Sequence, residues 1–374
     1  MRILHLVTRS QRRGAELVAL ELARALDGLG CEDRVIALAR AFDGSAVDEL
    51  PSLTARSDLG VRTLFASARA LRRELARDPV DIVLAHGGRA AEIAVLARRG
   101  SSPRVVWQRI LGVPPRFMHP LRRGWSRLLL RRADAAVALT GQLENEMRQL
   151  GFKGRVWRIS NFRDPTRFEG LNRAAEGKLL RGELGIGSDE PLIGFVGHLI
   201  AQKRPDRAVE VLSDVHRLGT RAHLVIAGDG PLRASIERRV ADRHLDGFVH
   251  VLGEREDVEH IFGGVDVFVL TSDDEGVPGV LIEAQMAGCP VVAPPIGGVR
   301  DVIEDGVTGT ITARTDASEM AIAVVDLLDD RERRTRMVDA ARARASRFTT
   351  SRAARIYADC LAELVNCDLT VRDE

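Results

Sequence analysis

The chain has 374 residues, 45% of them hydrophobic, so it is long enough for two domains with packed cores. No apolar run approaches the ~20 residues of a membrane-spanning helix, which argues against a transmembrane protein. A net charge of only +2, 4% aromatic residues and no recognised nucleic-acid-binding motif argue against DNA or RNA as a partner.

The charge is distributed unevenly along the chain. Residues 1–186 contain 33 Lys and Arg against 20 Asp and Glu, whereas the remaining residues contain 22 against 33. This asymmetry predicts that the N-terminal half faces something acidic, or that two oppositely charged domains attract each other.

The cysteines and histidines show no pattern of a disulfide framework or a metal site. The four Cys have no C-x-x-C spacing and the nine His form no H-x-x-x-H pair. The first residues, M-R-I-L-H-L-V-T, lack the long apolar region and small-residue cleavage site of a signal peptide and are predicted to form a strand. We therefore expect a cytoplasmic protein without a metal site.

Strands and helices alternate over the first 160 residues, which predicts a parallel, doubly wound sheet of the α/β class. The predicted strands are 2–8, 34–38, 81–85, 104–108, 135–139 and 156–159. The predicted helices between them are 15–26, 67–77, 90–99 and 142–150.

A second alternating unit begins at Pro191, after an irregular stretch rich in Arg, Gly, Asn and Pro. Its predicted strands are 192–196, 222–227, 248–252, 265–270, 290–293 and 308–312, followed by helices over 318–328, 331–345 and 351–365. The predicted organisation is a first domain over 1–164, a linker over 165–190 and a second domain over 191–350. Two such domains facing each other would form a cleft for two substrates.

The stretch Asp273–Gly298 connects a predicted buried strand to a predicted helix over 277–287 and then to the next strand. Glu275 therefore lies at the carboxyl edge of a parallel sheet, where open α/β folds bind ligands, and Glu283 lies in the helix. A carboxylate here can hold sugar hydroxyls while amides at the helix start hold phosphate oxygens. An ordinary crossover with a solvated Glu275 is the alternative. The amides in question belong to Gly276, Val277 and Gly279.

The loop Gly197–Asp206 follows the first strand of the second unit and leads into a helix. Gly197 permits close approach of the backbone to a ligand. Lys203 and Arg204 place positive charge at a helix N-terminus, where it opposes the helix macrodipole, so an anionic ligand is favoured over a solvated surface.

Two further strand-to-helix turns contain glycines. In A-G-D-G-P, Gly228 and Gly230 form a tight turn, for which ordinary turn chemistry is a sufficient explanation, and Pro231 is predicted to be the first helical residue. Gly14 lies at the first βα turn, where a phosphate can approach. The G-x-G-x-x-G fingerprint is absent there, which argues against a dehydrogenase.

His86 follows the predicted strand 81–85 and precedes two glycines, a position suited to contact with a substrate hydroxyl. The alternative is a loop histidine with its hydrogen bonds satisfied within the protein.

Between Arg109 and Arg132 the chain has seven arginines and no acid, interleaved with apolar residues. This stretch could contact an anionic membrane surface or an acidic acceptor, whereas a helix with a solvated basic face is the commoner explanation.

Taken together and in order, these residues resemble the retaining glycosyltransferases of glycosyltransferase family 4 (glycosyl transferases group 1), which have the GT-B fold. The E-x7-E motif of that family corresponds to Glu275 and Glu283. Its other motifs correspond to Gly197…Lys203, A-G-D-G-P, S-N-F-R-D at 160–164 and P-I-G-G-V-R-D-V-I-E-D-G-V-T-G at 295–309. The resemblance covers nearly the whole chain.

The resemblance implies two Rossmann-like domains facing a central cleft, with the last helix, in 351–374, crossing back to the N-terminal domain. It implies that the second domain binds a nucleotide diphosphate sugar, with Glu283 on the ribose and Glu275 on the sugar. Lys203 would neutralise the diphosphate in place of a metal, so no cofactor is expected. The implied catalytic residues are His86, Lys203 and Glu275. The implied donor-binding residues are Gly14, Gly197, His198, Lys203, Arg204, Gly228, Gly230, Glu275, Gly276, Val277, Gly279 and Glu283.

The chain departs from the family pattern at three places. His198 stands where Arg is usual, and we hypothesise that Arg204 compensates for the missing charge. Arg13 precedes Gly14 where two glycines are usual. Phe162 follows Asn161 where Gly is usual. We expect a hexosyl- or N-acetylhexosaminyltransferase that uses a UDP-sugar, with a GDP-sugar as the second choice. The acceptor is lipid-linked, phosphorylated or a natural product. A nucleotide-sugar epimerase, a phosphorylase-like enzyme and a non-catalytic nucleotide-sugar-binding protein are the alternatives.

Overall fold

The computed structural model describes residues 1–11, 14–40, 50–54, 61–111 and 118–367. The chain forms two compact units, which we call unit 1 (Met1–Asp164 with Thr350–Glu374) and unit 2 (Pro165–Thr349). Each unit contains a parallel sheet with helices, which confirms the predicted fold class.

The described strands of unit 1 form a seven-stranded sheet in the order β3-β2-β1-β4-β5-β6-β7. They are β1 (Arg2–Ser10), β2 (Glu32–Arg40), β3 (Ser52–Thr54), β4 (Ile82–His86), β5 (Arg104–Arg109), β6 (Ala135–Ala138) and β7 (Arg155–Arg158). The helices between them are α1 (Gly14–Asp27), α2 (Val61–Arg77), α3 (Gly88–Ala97), α4 (Pro120–Leu130) and α5 (Gly141–Gln149).

The described strands of unit 2 form a six-stranded sheet in the order β10-β9-β8-β11-β12-β13. They are β8 (Leu192–Val196), β9 (His223–Ala227), β10 (Val249–Gly253), β11 (Val267–Val269), β12 (Val291–Ala293) and β13 (Thr310–Ile311). The helices are α6 (Arg173–Leu184), α7 (Pro205–Arg217), α8 (Arg233–Asp242), α9 (Val258–Gly264), α10 (Gly279–Met286), α11 (Val299–Val302), α12 (Ala317–Asp329) and α13 (Arg331–Ala345).

The strand order reverses once in each sheet, between β1 and β4 in unit 1 and between β8 and β11 in unit 2. Ligands of doubly wound folds bind outside the carboxyl ends of the strands at such a reversal. The loop after β1 leads to Gly14 and β4 ends at His86, whereas the loops after β8 and β11 contain Lys203 and Glu275. The topology therefore places the predicted site residues at the ligand-binding edge of their own sheet.

The last helix, α14 (Thr350–Val365), belongs to unit 1 and packs against α1. Its buried residues include Tyr357 and Leu361, both fully buried in the same core cluster as Leu22 of α1. The amide of Thr350 donates to the carbonyl oxygen of Arg163 at 3.1 Å. The expected return of the C-terminal helix to the N-terminal domain is thus present.

The predicted linker over 165–190 instead lies within unit 2 and is structured. It contains a 3₁₀ turn and α6, which packs against α9. The polar residues that suggested irregular chain are the caps of α6: the Asn172 side chain accepts from two amides at its start, and Gly185 ends it at φ 68°. Arg181, which is buried, donates to Asp266 at 2.6 Å and fixes the helix to the sheet.

Several predicted helix starts also differ from the structure, and the largest shift is in the helix predicted over 67–77, which begins at Val61. The helix predicted over 277–287 begins at Gly279, with Pro278 as its N-cap, because an N-cap accepts the φ of proline without needing its missing N–H. The helix predicted to begin at Pro231 begins at Arg233, so Pro231 lies in the preceding turn.

Candidate functional site

The centre of the candidate site in unit 2 is an ion pair between Lys203 and Glu275. The Lys203 Nζ donates to Glu275 Oε1 at 2.6 Å, and the Ser272 Oγ donates to the same oxygen at 2.7 Å. Glu275 is only 8% exposed, and the Lys203 side chain is 27% exposed. Within the described residues, no hydrogen bond ends on Glu275 Oε2. One carboxylate oxygen is therefore fixed by the protein while the other remains for a ligand.

The loops after β8 and β11 are held together by backbone-directed hydrogen bonds. The Thr271 hydroxyl lies 2.9 Å from the carbonyl oxygens of both Lys203 and Arg204, and the Asp273 amide donates to the Gln202 carbonyl at 2.9 Å. Because Lys203 and Glu275 lie on these two loops, the same bonds fix the distance between them. The contact between Lys203 and Glu275 therefore depends on the fixed spacing of two loops that follow neighbouring strands.

Arg204 is committed to carboxylates of unit 2. Its guanidinium donates from Nε to Asp206 Oδ1 at 3.0 Å and lies 3.4 Å from Asp273 Oδ2. The hydrogen bond to Asp206 raises the pKa of Arg204, and the backbone of Arg204 is left-handed at φ 51°. Its charge is therefore already paired, so the structure gives no support to the hypothesis that Arg204 replaces the charge missing at His198. His198 itself is half-buried.

The A-G-D-G-P turn supports the Gly197 loop directly. A Cβ on Gly228, whose φ is +153°, would lie 2.0 Å from the carbonyl oxygen of Gly197. Gly230 is similarly close to Leu199, since a Cβ there would lie 2.7 Å from the Leu199 carbonyl oxygen. Because Gly228 and Gly230 lack a Cβ, the turn can pack directly against the backbone of the Gly197 loop. Their role therefore goes beyond the ordinary turn chemistry that the sequence alone supported.

The P-I-G-G segment lies against the other side of Glu275. A Cβ on Gly297 would lie 1.8 Å from the Glu275 carbonyl oxygen, and Gly297 has φ +43°. The next amide, of Gly298, donates to the Gly276 carbonyl at 2.6 Å. Gly297 therefore permits a backbone contact that holds the Glu275 loop in place.

Helix α10 begins beside Glu275. Its N-cap, Pro278, supplies no side-chain hydrogen bond, so the amides of its first turn have no side-chain cap. Gly276 and Val277 precede the helix, Gly279 is its first residue, and Glu283 is half-buried one turn further on. The expected combination of a helix N-terminus with two carboxylates is present in one segment.

In unit 1, Gly14 is exposed at the start of α1, whereas Arg13 lies outside the described residues. His86 is the last residue of β4 and is only 3% exposed. Its Nε2 lies 3.2 Å from Nδ1 of His5, and burial together with His5 lowers the pKa of His86. His86 is therefore neutral, and its side chain is largely enclosed by protein at the carboxyl end of β4.

The arginine-rich stretch contains α4, and residues 112–117 lie outside the described residues. Arg109 is buried in an ion pair with Glu146, and Arg122 pairs with buried Glu92 at 3.0 Å. The outer face of α4 is apolar as well as basic, because Leu121 is 80% exposed. The basic helix covers the core, as favoured from the sequence, but its outer face is not simply polar.

Thr271 and Ser272 belong to the site but were not selected from the sequence. They follow β11 and Leu270, at the same sheet edge as Glu275, so their position was available as a signal. Gly297 lies in the family motif at 295–309, but its contact with Glu275 joins two different loops and was not predicted.

Within the part of the chain that the structure describes, no three His, Cys, Asp or Glu are grouped so that they could hold a metal ion. The helices described are also all too short or too polar to cross a bilayer. All four cysteines are free thiols.

Two family models match the chain, one in each half. "Glycosyltransferase Family 4" matches residues 12–167, and "Glycosyl transferases group 1" matches residues 178–344. Together the two matches cover most of the chain, and their border falls where unit 1 passes into unit 2.

Several curated proteins are similar in sequence. Alpha-D-kanosaminyltransferase of Streptomyces kanamyceticus is 32% identical over 64% of this chain and 62% of its own length. The 2-deoxystreptamine glucosyltransferase of the same organism is 31% identical over 58% of this chain and 56% of its own length. The chain thus spans less than two thirds of the length of these relatives. The putative glycosyltransferase EpsF of Bacillus subtilis is 28% identical over 78% of both chains.

Solved structures share the fold over nearly the full length. Anabaena Alr3699/HepE, in complex with UDP and glucose, has a TM-score of 0.81 at 21% identity, covering 97% of this chain and 99% of that one. Sucrose-phosphate synthase from Thermosynechococcus elongatus has a TM-score of 0.82 at 18% identity, covering 98% and 99%. These similarities show the GT-B fold.

Proposed function

Since this chain belongs to the glycosyltransferases described by the family 4 and group 1 models, we propose that it transfers a sugar from a nucleotide diphosphate sugar to a hydroxyl of an acceptor. The observation behind the proposal is the Lys203–Glu275 ion pair beside the uncapped start of α10. This arrangement places a cation, a carboxylate and the start of a helix without a side-chain cap at the ligand-binding edge of one sheet.

The residues present suit departure of a nucleoside diphosphate. Negative charge builds on the diphosphate as its bond to the sugar breaks, and a fixed cation with helix amides stabilises that charge. Lys203 would exchange its contact with Glu275 for the diphosphate, while Glu275 would accept from sugar hydroxyls. Gly197, whose backbone packs against Gly228, would let the loop approach the donor closely. In the proposed reaction the departing phosphate accepts the proton of the acceptor hydroxyl, which attacks from the same face, so configuration is retained.

UDP is the first candidate for the nucleotide and GDP the second. Anabaena Alr3699/HepE, which shares the fold, binds UDP and UDP-glucose, which supports this order. Glu283, one turn into α10, would hold the ribose hydroxyls. The transferred group would be a hexosyl or N-acetylhexosaminyl sugar, in line with the glucosyl- and kanosaminyl-transferring relatives.

No metal or other cofactor is part of the proposed mechanism. Lys203 and the amides of α10 would supply the positive potential that a divalent cation supplies in other sites. A chelator should therefore leave donor binding and transfer unchanged.

The acceptor proposal is a lipid-linked, phosphorylated or natural-product hydroxyl, bound by basic unit 1. Relatives named for 2-deoxystreptamine and D-inositol 3-phosphate support the last two classes. The face of α4 supports a peripheral position on the inner surface of a membrane, because Leu121 and Leu128 are 80% and 55% exposed beside exposed Arg123 and Arg127. Apolar side chains among arginines suit an anionic lipid surface.

Flotation with vesicles tests the membrane position. We expect salt-sensitive binding to vesicles of anionic lipid, little binding to purely zwitterionic vesicles, and loss of binding in L121S/L128S. The control is L179S, which changes a leucine that is 67% exposed in unit 2. Absence of salt-sensitive binding by the unaltered protein would remove the membrane from the proposal.

Thermal shift with UDP, GDP, ADP and their sugars, first with a chelator and then with Mg²⁺, tests the donor site. A ligand at ~100 times its dissociation constant adds about 2.7 kcal/mol to stability, which gives a clear shift. Lys203→Ala should lose most of the shift, whereas Lys178→Ala, an exposed lysine of the same unit, should keep it. No shift with any nucleotide sugar, or an unchanged shift in Lys203→Ala, would contradict the proposal.

Turnover separates the proposed enzyme from a protein that only binds the donor. Donor hydrolysis or transfer should be abolished in Glu275→Gln while the stability without ligand changes little. Glu332→Gln, whose side chain is 89% exposed, is the matched control. Binding without any turnover would favour the non-catalytic alternative.

A further inference from the structure

Unit 1 contains a large pocket at the edge of its sheet opposite to the ligand-binding edge. The pocket lies between α2 and the end of α3, and its lining includes residues 79–80, just before β4, and 102–103, just before β5. These residues lie at the amino ends of the strands, whereas ligands of doubly wound folds bind beyond the carboxyl ends. The pocket is therefore separate from any substrate site at the carboxyl edge of this sheet.

The pocket has the size and the lining of a small-molecule site. Its volume is about 880 Å³, within the roughly 300–1,000 Å³ of such sites. Its described lining contains five arginines and no acid, and we call it the arginine pocket. The arginines are Arg69, Arg72, Arg73, Arg98 and Arg99.

The walls between the arginines are apolar. Ala68, Val80 and Ala97 line the pocket and are themselves buried, and Leu96 lies beside Ala97. Phe65 also lines the pocket and is 58% exposed, so part of its ring is available for contact with a ligand. An occupant of this pocket would therefore combine negative charge with an apolar portion.

Three of the five guanidinium groups are unpaired. The side chains of Arg69, Arg73 and Arg99 are exposed and have no ion pair or hydrogen bond within the described parts of the chain. Arg69 and Arg73 lie one turn apart on α2, a spacing at which like charges repel each other. Arg99 lies in a turn that is closed by a β-bridge to Ser102. An anion in the pocket would relieve the repulsion along α2.

The acids around the arginine pocket are committed to other partners. Glu74 Oε1 accepts from Arg34 at 2.7 Å, and Asp78 Oδ2 lies 3.1 Å from the same guanidinium. Asp134 pairs with Arg98, which is the one arginine of the pocket with a carboxylate partner among the described residues. The protein therefore leaves most of the positive charge of the pocket without a counter-charge.

Arg72 is fixed in the wall of the pocket by the end of α3. Its Nε donates to the carbonyl oxygen of Ala97 at 3.0 Å, and its Nη2 donates to that of Leu96 at 2.6 Å. No hydrogen bond from its Nη1 is present within the described structure. Arg72 thus holds a half-buried charge in a fixed place with one nitrogen left to donate. Because the same bonds cap α3, Arg72 is left unaltered in the tests below.

We propose that the arginine pocket is a second ligand site of unit 1, which binds a phosphate monoester that carries an apolar chain. Such a group has a charge of about −1.5 to −2 at pH 7, which suits several converging arginines better than a single carboxylate does. Guanidinium groups match phosphate oxygens in bidentate hydrogen bonds, and Arg69, Arg73 and Arg99 are available for them. The apolar walls would hold the chain. The alternative is that the arginine stems only cover apolar surface and that the pocket binds nothing.

Calorimetric titration of the full chain with hexyl phosphate tests the site, with inorganic phosphate and hexanol as separate probes of its two halves. We expect hexyl phosphate to bind at least about tenfold more tightly than either probe, because only hexyl phosphate uses both the arginines and the apolar walls. Arg73→Ala should weaken hexyl phosphate about tenfold. The matched control is Arg77→Ala, which removes an exposed arginine of the same helix outside the pocket. Equal binding by Arg73→Ala and Arg77→Ala would overturn the proposal, as would hexyl phosphate that binds no better than phosphate.

A second pair of variants fills the pocket without removing charge. Ala76 and Ala66 are both exposed on α2, but only Ala76 lines the arginine pocket. Ala76→Trp should abolish binding of hexyl phosphate, whereas Ala66→Trp should leave it unchanged, and urea unfolding checks that both variants fold. Full binding by Ala76→Trp would place hexyl phosphate outside the pocket and would overturn the proposal.

Flotation distinguishes the two sources of such a ligand, a lipid headgroup and a soluble alkyl phosphate. The probe is a vesicle of phosphatidylcholine that contains phosphatidic acid. Weaker flotation of Arg73→Ala than of Arg77→Ala would identify the lipid headgroup, and equal flotation with tight binding of hexyl phosphate would identify the soluble ligand. L121S/L128S should bind hexyl phosphate normally, because neither leucine lines the pocket. Sugar transfer enters none of these readouts, so failure of the proposed function would leave the test of the pocket intact.

Discussion

Gly297 offers a direct test of how the Glu275 loop is held, through the substitution Gly297→Ala. The added Cβ would lie 1.8 Å from the Glu275 carbonyl oxygen, whereas ordinary contact begins at 3.4 Å. Either Gly297 or Glu275 must therefore move by more than an ångström. A shift of that size at Glu275 would break its 2.6 Å hydrogen bond with Lys203.

The expected loss of stability in Gly297→Ala has two parts. A non-glycine residue at φ +43° loses about 1–2 kcal/mol through its left-handed backbone. The clash with backbone adds to this, since overpacking of a fixed contact costs about 1–3 kcal/mol. A misplacement of ~1 Å at a catalytic group lowers the rate about 100-fold, which we expect for sugar transfer.

Gly306→Ala is the matched control because it separates the two parts. Gly306 has φ +75° and a Cβ there would meet nothing within 4 Å, so only the backbone cost applies. Urea unfolding gives the stability difference, and UDP binding with transfer kinetics gives the effect on the site. If Gly297→Ala were as stable as Gly306→Ala and transferred sugar within about threefold of it, Gly297 would not hold the Glu275 loop.

Three further changes have defined outcomes. Ser272→Ala removes one donor from Glu275 Oε1 and should lower transfer several-fold, with a loss of about 1 kcal/mol in unfolding experiments; an unchanged rate would mean that Lys203 alone orients Glu275. Asp33→Asn should stabilise unit 1 increasingly from pH 4 to pH 8, because the native Asp33, with its pKa raised to about 8, holds a proton that the unfolded chain releases above pH 4. The gain in the free energy of unfolding, relative to the unaltered protein, should level off above pH 8 at no more than about 6 kcal/mol. Urea unfolding at pH 5 and pH 8 measures this gain. Leu361→Ala, in a fully buried position of α14, should destabilise unit 1 by about 2–5 kcal/mol, whereas Ile356→Ala, 39% exposed on the same helix, should cost much less in the same urea assay.

The sequence was sufficient to locate most strands and the central pair of the site. Parallel strands buried on both faces are continuous apolar runs, and β8 occupies the predicted residues 192–196 for this reason. Lys203 and Glu275 are 72 residues apart, but both follow strands that a doubly wound sheet brings together. The fold class alone therefore predicted that Lys203 and Glu275 lie at the same edge of the sheet.

The remaining features depend on contacts that no local pattern encodes. Asp33 stands in the polar start of a strand, E-D-R, and only the pairing of β1 with β2 and β4 places it beside His5 and His5 beside His86. Likewise β3 has only three residues, none of them fully buried, so it lacks the apolar run by which strands are recognised. Polar caps such as Asn172 were taken for irregular chain because capping residues and loop residues have the same composition.

The return of α14 to unit 1 also fixes an order of events during synthesis. Unit 2 is one continuous segment, whereas unit 1 is completed only by residues after Thr349. On the ribosome, unit 2 can therefore finish folding while the apolar residues of α1 that share a core with Tyr357 and Leu361 are still uncovered. Nascent chains stalled before Thr350 should expose these apolar residues to chaperones, and release of the last helix should cover them.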